Sequence, residues 1–254
     1  MIRTRGAAVK GVFRAKNPAK SVIKRLRPGN RCARSGGRSR PSLDSAAFPG
    51  NRLTLRAMQN PSAAPIVLAS SSVYRRGLLD RFLDDFETVS PNVDETPVDG
   101  MAPEELAAHL AKQKAEAVSN QQRESLIIGA DQLAVLEAEI LGKPGDHATA
   151  VEQLLAASGK TVRFLTAVCV LDTGSRRRYE YCDETVVRFR RFDRRFAETY
   201  LKHDEPYDCA GSFRIEGAGF VLFESVRTDD PTALVGLPMI WLAGCLLELG
   251  YLQS

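Results

Sequence analysis

Four groups of residues sit where a strand-and-helix pattern would otherwise ask for turns or core, and each suits the handling of phosphate. Ser70-Ser71-Ser72-Val73-Tyr74-Arg75-Arg76 follows the apolar run Ile66–Ala69. A helix N-terminus offers free backbone N–H groups and the positive end of its dipole, so it attracts anions. Serine hydroxyls and the two arginines, Arg75 and Arg76, strengthen such a site. The same segment also reads as an ordinary serine cap with solvated arginines. Asp94-Glu95 and Asp131-Gln132 bring carboxylates, the second pair directly after Leu126–Ala130. A carboxylate at the carboxyl end of a buried strand projects into the crevice where α/β proteins bind ligands. Two such groups can hold Mg²⁺ or Mn²⁺, ions that prefer oxygen and keep several waters; a strand-ending aspartate is also a common turn cap. Lys114 inside an apolar helix, and Lys143 in Leu141-Gly142-Lys143-Pro144, are compact cations suited to the β and γ phosphates of a leaving pyrophosphate. By its pattern alone, Lys114 is a solvated helix residue.

Other chemistries are excluded by spacing. Pro144 stands where a P-loop needs Ser or Thr, and the upstream glycine is missing. His109, His147 and His203 form no metal-spaced pair, and no Gly-x-Ser-x-Gly elbow exists. Asp204-Glu205 and Asp229-Asp230 read as solvated turn acids, and Trp241 with the Leu237–Leu247 stripe as core.

The positioning elements follow from periodicity. Ile66–Ala69 is a short buried strand, and helical spacing continues through Leu78, Leu79, Phe82 and Leu83. Phe86–Val89 predicts a second strand and Pro91–Met101 a polar loop. Pro103-Glu104-Glu105 opens a helix to about Val118, with Leu106, Leu110 and Ala117 inward. Leu126–Ala130 is a strand that Leu133–Leu136 continues or pairs with. Ala148–Leu155 is a helix stopped at Ser158-Gly159. Val162–Leu171 and Glu184–Phe189 read as an antiparallel pair flanking Thr173-Gly174-Ser175. A helix at Arg194–Leu201, a strand at Phe220–Val226 and a closing helix at Leu237–Leu247 complete an α/β domain with a mixed sheet and no internal linker.

The chain's formal charge of +4 hides a sharp asymmetry. Residues 1–57 are rich in Arg and Lys with Asp44 the only acid, whereas the remainder is net acidic. An acidic body argues against general nucleic-acid binding. The basic segment lacks the apolar periodicity needed to offset the entropy of ordering it. It reads as an extension outside the domain at 58–254: a start assigned upstream of Met58, a transit peptide, or an arm that touches nucleic acid or anionic membrane. The five cysteines are scattered without Cys-x-x-Cys spacing, and no apolar stretch is long enough to span a bilayer. The expectation is a cytoplasmic protein with reduced thiols.

Taken together, the clusters resemble the Maf family of nucleoside triphosphate pyrophosphatases. The resemblance runs in order from Ile66 to about Leu249. It is carried by Leu68-Ala69-Ser70-Ser71-Ser72 with Arg75-Arg76, Asp94-Glu95, Leu110-Ala111 with Lys114-Ala115, and Gly129-Ala130-Asp131-Gln132. Gly142-Lys143-Pro144, Ser158-Gly159, Asp208-Cys209-Ala210-Gly211 and Gly236-Leu237-Pro238 continue it. Val73 departs from the proline usual in the family. The resemblance implies a two-lobed α/β fold with an elongated mixed sheet and a central cleft, as a homodimer. It further implies that Asp131 accepts the proton of the attacking water and shares a divalent metal with Glu95. Ser70, Arg75, Lys114 and Lys143 would then hold the triphosphate.

Tyr74, Gln132 and Glu216 fall at the positions that separate substrate subgroups, and they resemble the subgroup acting on 7-methyl-GTP rather than on dTTP and UTP. The chemistry agrees. An ionised Glu216 only accepts, and so suits the N1–H and N2–H₂ donors of guanine. A Tyr74 ring would favour the cationic methylated base by ~0.5–2 kcal/mol. Glu216 also reads as a plain loop carboxylate and Tyr74 as a partly buried ring. A dTTP/UTP or broader pyrophosphatase, and a non-catalytic nucleotide-binding regulator of cell division, are the competing readings.

Overall fold

The computed structural model describes residues 59–98 and 100–253. The basic segment 1–57 and its boundary at Met58 lie outside the described residues. Seven strands form one sheet in the order β2-β1-β3-β5-β6-β7, with β4 also on β3. β1 (Ile66–Ala69), β2 (Glu87–Thr88) and β3 (Leu126–Leu136) are mutually parallel where they pair. β4 (Glu139–Leu141), β5 (Thr161–Asp172), β6 (Arg177–Phe189) and β7 (Phe223–Arg227) join antiparallel. The helices are α1 (Val73–Leu79), α2 (Pro103–Ser119), α3 (His147–Ala157), α4 (Arg194–Asp204) and α5 (Met239–Glu248). The expected α/β class with a mixed sheet is therefore present. Among the described residues no helix is long and apolar enough to cross a membrane.

Local chemistry explains these boundaries. α2 begins with Pro103, whose missing N–H costs nothing in a first turn, and Glu104 and Glu105 oppose the helix dipole there. Asp146 and Asp193 cap α3 and α4 through the amides of Thr149 and Phe196, each at 2.9 Å. α4 stops at Glu205, which turns left-handed at φ 47°.

One edge of β3 is covered in two instalments. β1 pairs with it from Leu126 to Gly129, and β4 takes over at Ala134. Ala130–Leu133 face no strand on that edge, while β5 pairs with them on the other. The strand order switches at this gap, which is where open α/β sheets bind ligands. Separate cores lie to either side. One gathers Leu154, Phe164, Phe189, Leu201, Phe213 and Phe223, the Phe213 and Phe223 rings meeting edge-on with centroids 4.8 Å apart. The other packs Ile66, Leu68, Leu79, Ile128, Leu242 and Leu246.

Several boundaries differ from the sequence reading. β6 starts at Arg177 rather than Glu184, because its polar first half is an exposed strand carried by pairing with β5. The strand expected from Phe220 begins at Phe223; Phe220 is 62% exposed in a short 3₁₀ turn. α1 ends at Leu79, with Phe82 and Leu83 in the turn beyond, and the Phe86–Val89 strand is confined to Glu87–Thr88. Ala117 is only half-buried, and α2 instead buries Ala107, Ala111 and Ala115. The closing helix starts at Met239, and its Ile240 is 65% exposed, so the Leu237–Leu247 stripe is core on one side only. Asp204 and Asp230 are not solvated: both are buried, Asp204 accepting from the loop amide of Ala218 and Asp230 from that of Thr232 and from the Ile240 amide of the closing helix.

The small residues of α2 let it lie directly on β3. A Cβ on Gly129 would stand 2.3 Å from the Ala111 carbonyl oxygen and 2.7 Å from the Ala115 amide. Gly129→Val is expected to destabilise the fold by about 3 kcal/mol through this overpacking. In urea unfolding the midpoint should fall with the slope preserved.

Candidate active site

A cleft of about 660 Å³ opens at the gap in the sheet, and every residue to which the resemblance gives a role lines it, whereas Asp94 and Arg76 do not. Its centre is Lys114. The Nζ lies 2.6 Å from Asp131 Oδ1 and 2.6 Å from Glu95 Oε1. The lysine side chain is 5% exposed and that of Asp131 8%. Lys114 is thus not a solvated helix residue, because the close approach of α2 at Gly129 aims it between the acids. Asp94 and Glu95 have separate fates. Asp94 is exposed and accepts from the amide and hydroxyl of Thr96, at 2.9 and 2.6 Å, closing a turn. Glu95 faces the cleft. Burial alone would raise the Glu95 carboxyl, but the hydrogen bond and charge of Lys114, with Lys143 and Arg75, hold it below the usual glutamate range.

The opposite wall is built from the β1–α1 turn. Ser70 is buried, and its Oγ accepts from the Ser72 amide at 3.1 Å and from Arg75 Nη1 at 3.4 Å. Ser72 caps α1 through the Arg75 amide. Arg75 Nε donates to the Gly236 carbonyl at 3.0 Å, which fixes the guanidinium plane. Burial lowers the Arg75 pKa, and the charges of Asp131 and Glu95 act against that. Lys143 is exposed on the rim. The serine–arginine segment is therefore more than a solvated cap, but Arg76 is not part of it: its side chain is exposed and pairs with Asp80 at 3.8 Å.

The residues assigned to the base lie farther along the same cleft. Gln132 follows Asp131 on β3 and points to the other face of the sheet, as successive strand residues must. Its Nε2 donates to Thr166 Oγ1 (3.0 Å), the Ala233 carbonyl (2.9 Å) and the Leu234 carbonyl (3.3 Å). Tyr74, in the first turn of α1, has its pKa raised by burial, against a hydrogen bond from Arg214. Glu216 is open to solvent by area, yet enough protein surrounds it that burial pushes its carboxyl up, opposed by Arg214 and Arg81. Its loop is clamped by α4: the Arg214 amide donates to Tyr200 Oη at 2.9 Å, and the Ala218 amide to Asp204 Oδ2 at 2.7 Å.

Sequence reasoning missed Thr166, Arg214, Asp204 and the carbonyls of residues 233–236. Thr166 had a signal, a hydroxyl inside the apolar run Val162–Leu171. Arg214 and Asp204 look like any charged residues near a turn, and backbone carbonyls carry no sequence code.

Glu95 and Asp131 fit a divalent ion. Their nearest oxygens already meet at one cation, the Lys114 ammonium, at 2.6 Å each, and both are the oxygen donors that such an ion prefers. Among the described residues no group of three or more His, Cys, Asp or Glu could hold a metal. Two carboxylates is the number Mg²⁺ uses when water and substrate phosphates complete its octahedron.

The sequence profile described as "Maf-like protein" matches residues 65–249. The chain belongs to the Maf family. Its Maf relatives include a "7-methyl-GTP pyrophosphatase" of Nitrosococcus oceani, 46% identical over 76% of this chain and 98% of that one. Proteins of the same name from Pseudomonas aeruginosa and Xanthomonas axonopodis pv. citri are 46% and 48% identical, each over 73% of this chain and 96% and 97% of their own. A solved nucleoside-triphosphatase, a dITP/XTP pyrophosphatase from Mycobacterium abscessus, aligns with this Maf chain at a TM-score of 0.36. It is 15% identical over 73% of this chain and 97% of its own.

Lys114→Met would leave Asp131 buried without its counter-charge. At neutral pH this is expected to cost about 3 kcal/mol in urea unfolding. The lowered Glu95 pKa makes its share fully present above the ordinary glutamate range and lost as pH falls through the lowered value. The difference between variant and parent should accordingly shrink in acid.

Proposed function

We propose that this Maf protein hydrolyses 7-methyl-GTP between its α and β phosphates, giving the monophosphate and diphosphate and so removing a modified nucleotide. The observation that carries this reading is the three-way contact of Lys114 with Glu95 and Asp131, facing the Ser70–Arg75 wall in one cleft. The names of its nearly full-length relatives support the choice of base.

Asp131 is the proton acceptor for the attacking water. As the water oxygen bonds to the α phosphorus, the bond to the bridging oxygen breaks and its electron pair leaves with diphosphate. Arg75 and Ser70 grip phosphoryl oxygens from one wall and Lys143 from the rim. Two hydrogen bonds of the Lys114 ammonium are used by the acids, and its third donor remains for the substrate. Such positioned cations neutralise charge where it develops, which is most of what phosphoryl transfer requires. Glu95 and Asp131 are the residues that would hold a divalent ion, Mg²⁺ or Mn²⁺, which supplies further charge neutralisation on the triphosphate. Glu216 accepts from the guanine edge, Tyr74 stacks against the methylated ring, and Gln132 offers its free oxygen. The same reading makes residues 58–254 the pyrophosphatase domain, a homodimer in the cytoplasm.

Diphosphate release from a panel of 7-methyl-GTP, GTP, dTTP and UTP tests the assignment. A preference for 7-methyl-GTP is expected, and a preference for dTTP or UTP overturns the choice of base. Asp131→Ala should abolish turnover in a folded protein; near-normal turnover removes it from the mechanism.

Glu216 makes base selection depend on pH. Its carboxyl is raised, so the accepting form is lost as pH falls through a value above the ordinary glutamate range. Selectivity for 7-methyl-GTP over UTP should decline across that interval. Glu216→Gln should begin with weaker selectivity and show no such decline.

A further inference from the structure

Several loops line the cleft, and the one before α5 is held by an acid that the reaction does not use. Asp230 lies between β7 and α5 and is 2% exposed, whereas its neighbour Asp229 is exposed. Its Oδ1 accepts from the amide and the hydroxyl of Thr232, at 2.9 and 2.6 Å. Its Oδ2 accepts from the Ile240 amide at 2.6 Å, in the first turn of α5. The Thr232 hydroxyl also accepts from the Met239 amide and lies 2.9 Å from the Leu237 carbonyl oxygen. One carboxylate thus ties both ends of the strap formed by residues 232–240.

The strap's carbonyls are spent on the cleft. Those of Ala233 and Leu234 take the Gln132 amide, and that of Gly236 takes Arg75 Nε. A carbonyl can only accept, so the Gln132 amide is oriented with its nitrogen on the strap and its oxygen left for a ligand. Thr166 adds a bond to the Ala233 carbonyl at 2.9 Å. Gln132, Thr166 and Asp183 pair across β3, β5 and β6 and so share one face of the sheet. Asp183 meets Asp230 separately through Thr228, whose Oγ1 lies 3.2 Å from Asp183 Oδ1 and accepts from the Asp230 amide at 3.1 Å. Hydrogen bonds thus tie the carboxylate to the strap, and the strap to Gln132 and Thr166 on the sheet.

We infer that Asp230 is a positioning residue for the nucleotide site, setting the Arg75 guanidinium and the Gln132 amide through one strap. Grip on the phosphates and discrimination of the base are thereby coupled, though neither residue touches Asp230. The inference rests on the proposed reaction for its kinetic consequences and on geometry alone for the strap.

Asp230→Asn keeps the size but sets an amide where two acceptors served. Thr232→Val deletes only the hydroxyl, Thr232→Ser restores it, and this pair decides the matter if Asp230→Asn does not fold. In folded variants, the KM for 7-methyl-GTP should rise about tenfold with a smaller change in kcat, the signature of misplaced binding groups. Selectivity over UTP should fall severalfold, Thr232→Ser should resemble the parent, and Asp230→Asn should add no further loss of selectivity to Gln132→Ala. A cap serving α5 alone would lower thermal stability with KM and selectivity intact, and that result overturns the inference. A second measurement needs no turnover: the Gln132 side-chain amide resonances should shift, and hydrogen exchange across residues 232–240 should quicken, in Asp230→Asn and Thr232→Val. If the parent hydrolyses no nucleotide in the panel, the pyrophosphatase reading fails by itself. Unchanged Gln132 resonances in the variants would then dispose of the strap as well.

Discussion

An ammonium group almost sealed from water needs its charge met at once, and Lys114 meets it with two carboxylates from distant parts of the chain. Asp131 comes from the middle of the sheet and Glu95 from a loop. Removing the charges from water is costly, so the arrangement stands only if all three arrive together. That condition reaches outward. α2 must lie close on β3, which explains Gly129 against Ala111 and Ala115. The loop after β2 must turn inward, which the Asp94–Thr96 turn secures. The same three groups form the floor of the cleft.

The sheet supplies the opening. Had β1 and β4 met along β3, Asp131 and Gln132 would lie beneath a paired edge. Because β1 ends at Ala69 opposite Gly129 and β4 ends at Leu141 opposite Ala134, the edge between them is free for a ligand. Strand alternation then divides the labour: Asp131 faces α2 and its lysine, while Gln132 faces the strap before α5. Two adjacent residues thereby serve different parts of one ligand.

Four acids show how environment assigns roles to one chemical group. Cations hold Glu95 below its ordinary range, whereas burial raises Glu216 despite Arg214 and Arg81. Asp204 and Asp230 do neither job. Each is buried and accepts backbone amides, fixing respectively the loop that carries Glu216 and the strap that holds Arg75 and Gln132.

Much of this was legible from residue order. Apolar runs such as Leu126–Ala130 and Val162–Leu171 read as strands because burial on both faces demands them. Pro103-Glu104-Glu105 announced α2, and the polar clusters stood out against the core pattern. Types and spacing singled out Ser70, Arg75, Glu95, Lys114, Asp131 and Lys143, the family resemblance added Glu216 and the base-selecting roles of Tyr74 and Gln132, and all of these line one cavity. Sequence could not say that Lys114 is buried, that Asp94 and Glu95 part company, or that Asp204 and Asp230 are interior while Glu205 and Asp229 stay exposed. Those outcomes depend on backbone amides and opposite charges brought close by folding, and such partners leave no periodic mark along the chain. Local pattern determined which elements form and which residues have the chemistry; only their meeting in space decided which charges are paired, which carbonyls are spoken for and where the sheet stays open.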